Sequence, residues 1–368
     1  MKTKVGQGLP NQKNQHYVPR CLLKPFTLNG QGHALNVVNI DRQKAIERAP
    51  VKGQCARDYL YGKDLRAENI LMGLEGHFAR IARYLSTGKD LSKDDVGWLR
   101  VFLAVQSRRT VQAIEEIRIA RKQMEDVTYA AHPEQRPPDL STDAQVMIFS
   151  LKLGLDLAKY LDDLKPVVLR NNTNRDFVIG DHPSLLVNKF ANERRGENKF
   201  GVASSGAIFT MPLSPRLSFL LFDSQVYTVP NISGTAFVEL KNSSDVSALN
   251  ELQILSAGHN FYFSDWAKRD VALDELGRLT TKRALPRSGP LVLIRDTDKP
   301  NEEVYREGTP SEILKARERL IGTSFWHPTP SRWPSVIKYR KKPIIFDSGS
   351  MAGALRKPEW LRGRQDTR

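Results

Sequence analysis

The sequence predicts an α+β fold in which a helical layer packs on a mixed or antiparallel sheet. Helical periodicity dominates residues 67–164, whereas short apolar runs bounded by turn residues dominate residues 166–265. The composition, 40% hydrophobic and 26% charged, is typical of a globular protein. A chain of 368 residues is also long enough to bury a large core.

Three segments carry apolar residues every three or four positions and predict the main helices, over about 67–85, 91–127 and 143–164. Ser92 followed by Asp95 resembles a capping box and marks the start of the second helix. Several prolines then separate the second helix from the third.

Strands are predicted where β-branched and aromatic residues cluster between turn signals. They cover residues 34–40, 166–170, 177–179, 207–211, 217–222, 236–240 and 260–263, with a further helix over about 244–256. The sheet is therefore expected to form mostly from residues 166–265, with one N-terminal strand added.

Charge and residue composition predict three parts of the chain: a flexible leader over 1–15, a core domain over 16–280, and a C-terminal extension over 281–368. The whole chain has 56 basic and 41 acidic residues, a formal net charge of +15. The extension alone holds 19 Lys and Arg against 10 Asp and Glu, so it carries +9 of that total. The remaining excess over the core is modest.

A strongly basic extension with interleaved aromatic rings predicts a polyanionic partner, RNA or DNA first. The candidate nucleic-acid-binding residues are Arg332, Trp333, Lys338, Tyr339, Arg340, Lys341 and Lys342. Cations would contact phosphates and the rings would stack on unpaired bases. A solvated tail, an anionic membrane surface or a protein partner would explain the same charge.

Two features predict a cytoplasmic protein with reduced thiols. The N-terminus has no apolar secretory signal, and no run approaches the roughly 18 apolar residues of a membrane span. The only cysteines are Cys21 and Cys55, too few for a disulfide framework. Neither a CxxC nor an HxxxH pair is present, so a zinc site with His16 or His77 is disfavoured.

Motifs for nucleotide triphosphatases, Rossmann enzymes, zincins and α/β-hydrolases are all lacking in the sequence. A weak nuclease-like pattern exists in Glu239 and Lys241 at the end of a strand, with Asp223 upstream. Carboxylates and a lysine on neighbouring strands can bind a divalent metal and stabilise an attacking water. A charge pair on an edge strand is the simpler interpretation.

A series of motifs in fixed order resembles one known family, DUF4238, found in bacteria and their mobile elements. The matching segments are HYVPRCLLKPF over 16–26, Glu68 and Glu75 on the first helix, FLAVQSRRT over 102–110, FVIGDHP over 177–183, MPLSP over 211–215, and the helix and strand over 250–263. The resemblance implies the fold unit more than a function, because the family name records an undefined activity.

Two departures from the family pattern stand out. Gly180, Asp181, His182 and Pro183 occupy the place where the family usually has Ser-Asp-Asn-Pro. The chain beyond about residue 281 lies outside the resemblance.

The polar residues of these motifs form a candidate catalytic set: His16, Glu75, Gln106, Arg109 and Asp181. Histidine and carboxylates supply general bases or metal ligands, and arginine binds phosphate. In this hypothesis Glu75 and Asp181 hold Mg²⁺ or Mn²⁺, and His16 activates water. A buried polar network with only a structural role would have the same sequence.

Three functions therefore stay open. The first is a metal-assisted, nuclease-like effector acting on nucleic acid, with a role in bacterial defence against mobile elements. The second is an NAD-dependent ADP-ribosyltransferase-like toxin. The third is a non-catalytic module that binds nucleic acid or a protein partner around a structural polar core.

Overall fold

The computed structural model describes residues 13–130, 132–139, 141–196, 199–232, 234–283, 287–296, 305–347 and 353–357. Within them the helices are α1 (Arg20–Leu23), α2 (Arg66–Ser86), α3 (Lys93–Arg108), α4 (Val111–Thr128), α5 (Asp143–Ala158), α6 (Ser243–Ser256), α7 (Arg269–Arg283) and α8 (Pro310–Lys315). The capping box expected at Ser92 and Asp95 is present at the start of α3.

The long helix predicted over 91–127 is wrong in one respect: it is two helices, α3 and α4. The Thr110 hydroxyl accepts a hydrogen bond from the Ala113 amide at 3.3 Å, so it caps α4 and interrupts the first helix. Arg109 lies at the break. Because apolar periodicity runs through the break, the sequence pattern alone does not mark it.

The strands are β1 (Asn14–His16), β2 (Ala34–Asn39), β3 (Lys44–Pro50), β4 (Ala56–Asp58), β5 (Lys165–Asn171), β6 (Ile179–Gly180), β7 (Leu185–Val187), β8 (Ile208–Ser214), β9 (Leu217–Phe222), β10 (Tyr227–Thr228), β11 (Phe237–Leu240), β12 (Asn260–Phe263), β13 (Ser288–Arg295), β14 (Tyr305–Glu307), β15 (Arg319–Phe325), β16 (Lys338–Tyr339), β17 (Phe346–Asp347) and β18 (Ala354–Leu355). The first of them begins at Asn14, inside the segment predicted as a leader. Residues 1–12 lie outside the described residues.

These strands form several sheets, and the α+β class is confirmed. The largest has the order β11-β5-β9-β8-β7, in which β11 pairs parallel with β5 and the other pairs are antiparallel. A second sheet has the order β3-β2-β12-β6, so the predicted N-terminal strand joins it rather than the main sheet. The main hydrophobic core includes residues of α2 to α5 and of the five-stranded sheet.

The extension contains a third sheet, β14-β13-β15, which contacts α4. The Thr323 hydroxyl of β15 donates to the Ala120 carbonyl at 3.3 Å. Further along, the fully buried Arg356 pairs with Asp163, with Nε 2.9 Å from Oδ2. The extension therefore packs on the core, and the space between them is enclosed by both.

Among the residues that the structure describes, none of the helices combines the length and the apolar character needed to cross a bilayer.

Candidate functional site

The segment His16–Tyr17 is held on one side by β4 and on the other by side chains. The Tyr17 amide donates to the Cys55 carbonyl at 2.8 Å. The Gln106 side-chain amide donates to the Tyr17 carbonyl at 2.9 Å. Because β1 pairs with a single strand, its second edge would lack partners without side chains of this kind.

Arg109 completes this arrangement. Its side chain is 5% exposed, and its Nη2 donates to the His16 carbonyl at 3.0 Å and lies 2.6 Å from Glu75 Oε1. Its Nε donates to the Tyr61 hydroxyl at 2.7 Å, and that hydroxyl donates to the same His16 carbonyl at 2.7 Å. Burial alone would lower the pKa of Arg109, but Tyr61 and Glu75 raise it overall, so the guanidinium stays charged.

The His16 imidazole is also buried, and its Nε2 lies 3.3 Å from the Val51 carbonyl oxygen. Burial, together with Arg20 and Arg109, lowers the pKa of this ring. We call His16, Tyr17, Tyr61, Glu75, Gln106 and Arg109 the anchor cluster. Four predicted catalytic residues therefore come together here, with Gln106 and Arg109 bonded to the backbone of residues 16 and 17.

Asp181, the fifth predicted residue, has a different set of partners. Its carboxylate accepts hydrogen bonds from the amides of Gly258, His259 and Asn260 at 2.7, 2.8 and 3.0 Å. Burial raises the pKa of Asp181, while these amides lower it. The carboxylate holds the turn before β12, which explains why an aspartate follows β6.

The fit of a divalent cation to Glu75 and Asp181 can be judged from these contacts. Glu75 is paired with Arg109, and Asp181 accepts three backbone amides, so the two carboxylates have separate partners. No group of three or more His, Cys, Asp and Glu suited to a metal occurs in the described part of the chain. Glu75 and Asp181 therefore do not fit the Mg²⁺ or Mn²⁺ predicted from the sequence.

The weak nuclease-like pattern has local partners too. Glu239 forms a cross-strand ion pair with Arg170, with Oε1 and Nη1 3.0 Å apart. Asp223 is buried and accepts hydrogen bonds from the amides of Gly206 and Gln225 at 2.7 and 2.9 Å. Lys241 is exposed. The simpler interpretation, a charge pair on an edge strand, accounts for Glu239.

The predicted nucleic-acid-binding segment runs along the core. Trp333 and Tyr339 pack against the main hydrophobic cluster, and the Tyr339 hydroxyl donates to Glu193 Oε2 at 2.9 Å. β16 pairs with β10 beside them. The cations are exposed at the surface: Arg332, Lys338, Arg340, Lys341 and Lys342. The charges are accessible to a polyanion, whereas the two rings have partners within the protein.

A cavity of about 730 Å³ lies between the core and the extension. One wall comes from the end of α3, from α4 and from residues 182–188, and the other from β13, β15 and residues 326–328. Residues 353–355 also line it. Its volume is within the range of about 300–1,000 Å³ found for small-molecule sites.

Two histidines line this cavity. The His327 Nε2 lies 3.0 Å from the Phe200 carbonyl oxygen, and a carbonyl can only accept, so Nε2 carries the proton and Nδ1 has the free lone pair. The His327 ring also stacks on Phe200, with centroids 4.2 Å apart. Burial lowers the pKa of His327 to about 4, and Arg108 adds to the shift. The ring is therefore neutral and fixed at pH 7.

His182 lies on the opposite wall. Its Nδ1 is 2.7 Å from the Thr110 hydroxyl, the group that caps α4. Burial, followed by the charges of Arg108 and Arg287, lowers the pKa of His182 to about 3. His327 also contributes to this shift, so the two rings and Arg108 share one electrostatic environment.

Cations outnumber acids on the cavity lining. Among the described lining residues, Arg108, Arg195, Lys199 and Arg287 are basic and Glu116 is the acidic one. Arg108 Nη1 lies 3.2 Å from Glu116 Oε2, and burial raises the pKa of Glu116. The lining therefore has a formal excess of positive charge, which the ion pairs of Arg195 with Asp347 and of Lys199 with Glu307 partly offset.

Aromatic rings complete the lining. Lys199 Nζ lies 5.2 Å from the centroid of Trp326, and Phe200 stacks on His327 nearby. Arg195 and Lys199 also contact Asp347 and Glu307, two exposed carboxylates. A planar ring with an attached anion would match this combination of cations and aromatic faces.

Sequence reasoning did not select the cavity residues. His182 is named there only as a departure from the family pattern, and Arg108 lies within the matching segment over 102–110 without a predicted role. The apolar, β-branched run from Leu291 to Ile294 in β13 is a strand signal that could have indicated a folded extension.

Comparison with known families matches residues 14–266 to the family described as a protein of unknown function (DUF4238). The chain belongs to the DUF4238 family. No curated protein and no solved structure matches it. The matched range of DUF4238 includes the anchor cluster, Arg108, Glu116 and His182, but ends before Arg287 and His327. The cavity is therefore shared between the DUF4238 domain and the extension.

Proposed function

We propose that this DUF4238 protein binds a phosphate-bearing ligand of the nucleotide type, a single-stranded nucleic acid above all, with the ligand phosphate in the cavity between core and extension. One observation carries the proposal: four cationic side chains and one carboxylate among the described residues line a cavity that also has aromatic walls. Phosphates are bound by arginine and lysine, and bases stack on aromatic faces.

The size of the cavity supports the same ligand class. A volume of about 730 Å³ accommodates one or two nucleotide units but not a duplex, whose bases are already stacked on each other. The exposed cations at 338, 340, 341 and 342 would hold the rest of a strand by its backbone. In this arrangement the cavity would select the ligand, and the surface segment would attract the backbone of the strand without selectivity.

The anchor cluster has a structural part in this proposal. Arg109 and Gln106 position residues 16 and 17, and Glu75 compensates the charge of Arg109. We therefore place the site in the cavity rather than at the residues predicted from the sequence.

Fluorescence anisotropy with a short labelled oligouridylate tests the proposal. The Arg108→Gln variant should bind about tenfold or more weakly, since it loses a cation of the cavity. Lys122→Gln is the matched control, because Lys122 lies on α4 but its side chain is 71% exposed and outside the cavity lining. Equal affinities for the wild type and both variants would contradict the cavity as the binding site.

The surface segment is tested by a double variant, Lys341→Gln with Lys342→Gln. It should weaken binding in low salt and reduce the dependence of affinity on salt, with a smaller effect near physiological ionic strength. A loss larger than that of Arg108→Gln would move the site from the cavity to this segment. Consumption of NAD by the purified protein would instead favour the ADP-ribosyltransferase alternative.

A further inference from the structure

His327 combines three properties of a general base. Its tautomer is set by the Phe200 carbonyl, which accepts a hydrogen bond from the protonated Nε2, so that Nδ1 carries the lone pair. Its ring position is fixed by the stack on Phe200. It also lines the cavity together with Arg108, a cation suited to a phosphate. Burial keeps the ring unprotonated at neutral pH, so Nδ1 is able to accept a proton, but it also makes Nδ1 a weaker base than that of a solvated histidine.

The groups around His327 indicate what the base would act on. The carboxylate of the cavity, Glu116, is engaged by Arg108, so the described lining is poor in the oxygen ligands that Mg²⁺ prefers. A nucleophile supplied by the substrate itself suits such a site. The ribose 2′-hydroxyl of RNA is such a nucleophile, and DNA lacks it.

We propose that His327 is the general base of a ribonuclease reaction in this cavity, accepting the proton of a ribose 2′-hydroxyl at Nδ1. This inference rests on the proposed function, since the strand must first bind there. The 2′-oxygen forms a bond to phosphorus and the bond from phosphorus to the 5′-oxygen breaks. Water protonates the leaving 5′-oxygen, and the hydroxide formed takes the proton from His327. The products are a 2′,3′-cyclic phosphate and a free 5′-hydroxyl.

The cations supply the remaining chemistry. Arg108 and Arg287 line the same cavity and would stabilise the charge that develops on the phosphoryl oxygens. His182, whose Nδ1 bonds to Thr110, would position the phosphate from the opposite wall. Arg108 ends α3, His182 follows β6, and Arg287 precedes β13 and donates from Nη2 to the Leu255 carbonyl.

The experiment incubates the full chain, in the presence of EDTA, with a labelled oligouridylate and with its deoxy counterpart. The RNA should be cleaved and mass spectrometry should find the 2′,3′-cyclic phosphate, whereas the DNA should stay intact. His327→Gln keeps a side-chain amide able to donate to the Phe200 carbonyl but has no basic nitrogen. It should lose about a hundredfold or more of the cleavage rate while keeping its affinity and its unfolding midpoint.

The outcomes separate the two proposals. Binding of RNA without cleavage, or equal cleavage by His327→Gln, overturns the role of His327 and leaves the binding site in place. Cleavage of DNA at a similar rate overturns the 2′-hydroxyl mechanism. Failure of both oligonucleotides to bind overturns the proposed function, and the inference with it.

Discussion

The anchor cluster and the cavity use similar side chains for different purposes. In the anchor cluster, Arg109 and Gln106 donate to the carbonyls of residues 16 and 17, so their polar atoms face other protein atoms. In the cavity, Arg108 and His182 line an open volume. Arg108 and Arg109 are neighbours in the chain, yet the end of α3 directs them to opposite roles.

This contrast shows what decides whether a polar motif is functional or structural. A set of His, Glu, Gln and Arg within one family pattern is compatible with catalysis and with structure alike. Hydrogen-bond partners decide between them, since a side chain already bonded to backbone has little capacity left for a ligand. Three measurements test this difference between the anchor cluster and the cavity.

The largest effect is expected for Arg109→Ala. This substitution removes a buried cation and leaves Glu75 without its ion-pair partner. The Tyr61 hydroxyl and the His16 carbonyl each lose one donor, although they stay bonded to each other. We expect a loss of about 3–5 kcal/mol in the free energy of unfolding, measured by urea denaturation. The comparison fails if the variant keeps its stability but loses affinity for the oligouridylate, because the anchor cluster would then be the binding site.

A smaller loss is expected for Asp181→Asn. The aspartate accepts three backbone amides, and an asparagine offers a single oxygen, so at least one amide of residues 258–260 loses its partner. The expected loss in unfolding free energy is about 1–3 kcal/mol. Oligouridylate affinity, corrected for the folded fraction, should be unchanged. A variant of normal stability with no binding would return Asp181 to the functional site.

The smallest effect concerns pH. The folded pKa values of His182 and His327, about 3 and about 4, lie below the usual histidine value of 6.5. The unfolded chain therefore binds more protons in this window, and their contribution to stability is lost as the pH falls from about 6.5 towards 4. Solvent in the open cavity screens these groups, so we expect about 1 kcal/mol.

The double variant His182→Asn with His327→Gln isolates that contribution. Between pH 6.5 and pH 4, its unfolding free energy should change by about 1 kcal/mol less than that of the wild type. Urea titrations at several pH values measure it. Identical pH dependence in both proteins would show that the two rings are not held neutral by the fold.

The sequence predicted much of the framework. α2 and β9 lie within about one residue of their expected bounds, because an apolar stripe and an apolar run specify them locally. Four members of the anchor cluster were predicted as one catalytic set together with Asp181, because all five lie in the family motifs, whereas Tyr61 was not predicted. What the sequence could not give is the direction of each polar atom, for example that Gln106 donates to the Tyr17 carbonyl.

The cavity was harder to predict for a physical reason. His182 and His327 line the same cavity only because the extension packs on α4 through β13 and β15. Contacts between segments that are far apart in the sequence leave no local periodicity from which they could be predicted. The break between α3 and α4 places Arg108 in the cavity and Arg109 in the core. The apolar periodicity of the sequence does not mark this break either.

Photocrosslinking with an oligouridylate that carries 5-iodouracil tests whether the strand binds in the cavity, because a base must lie against an aromatic ring to react with it. We expect mass spectrometry to find the crosslink on the cavity wall, at Trp326 or Phe200. A crosslink at Tyr17 or Tyr61 of the anchor cluster, or at Trp333 or Tyr339, would contradict it.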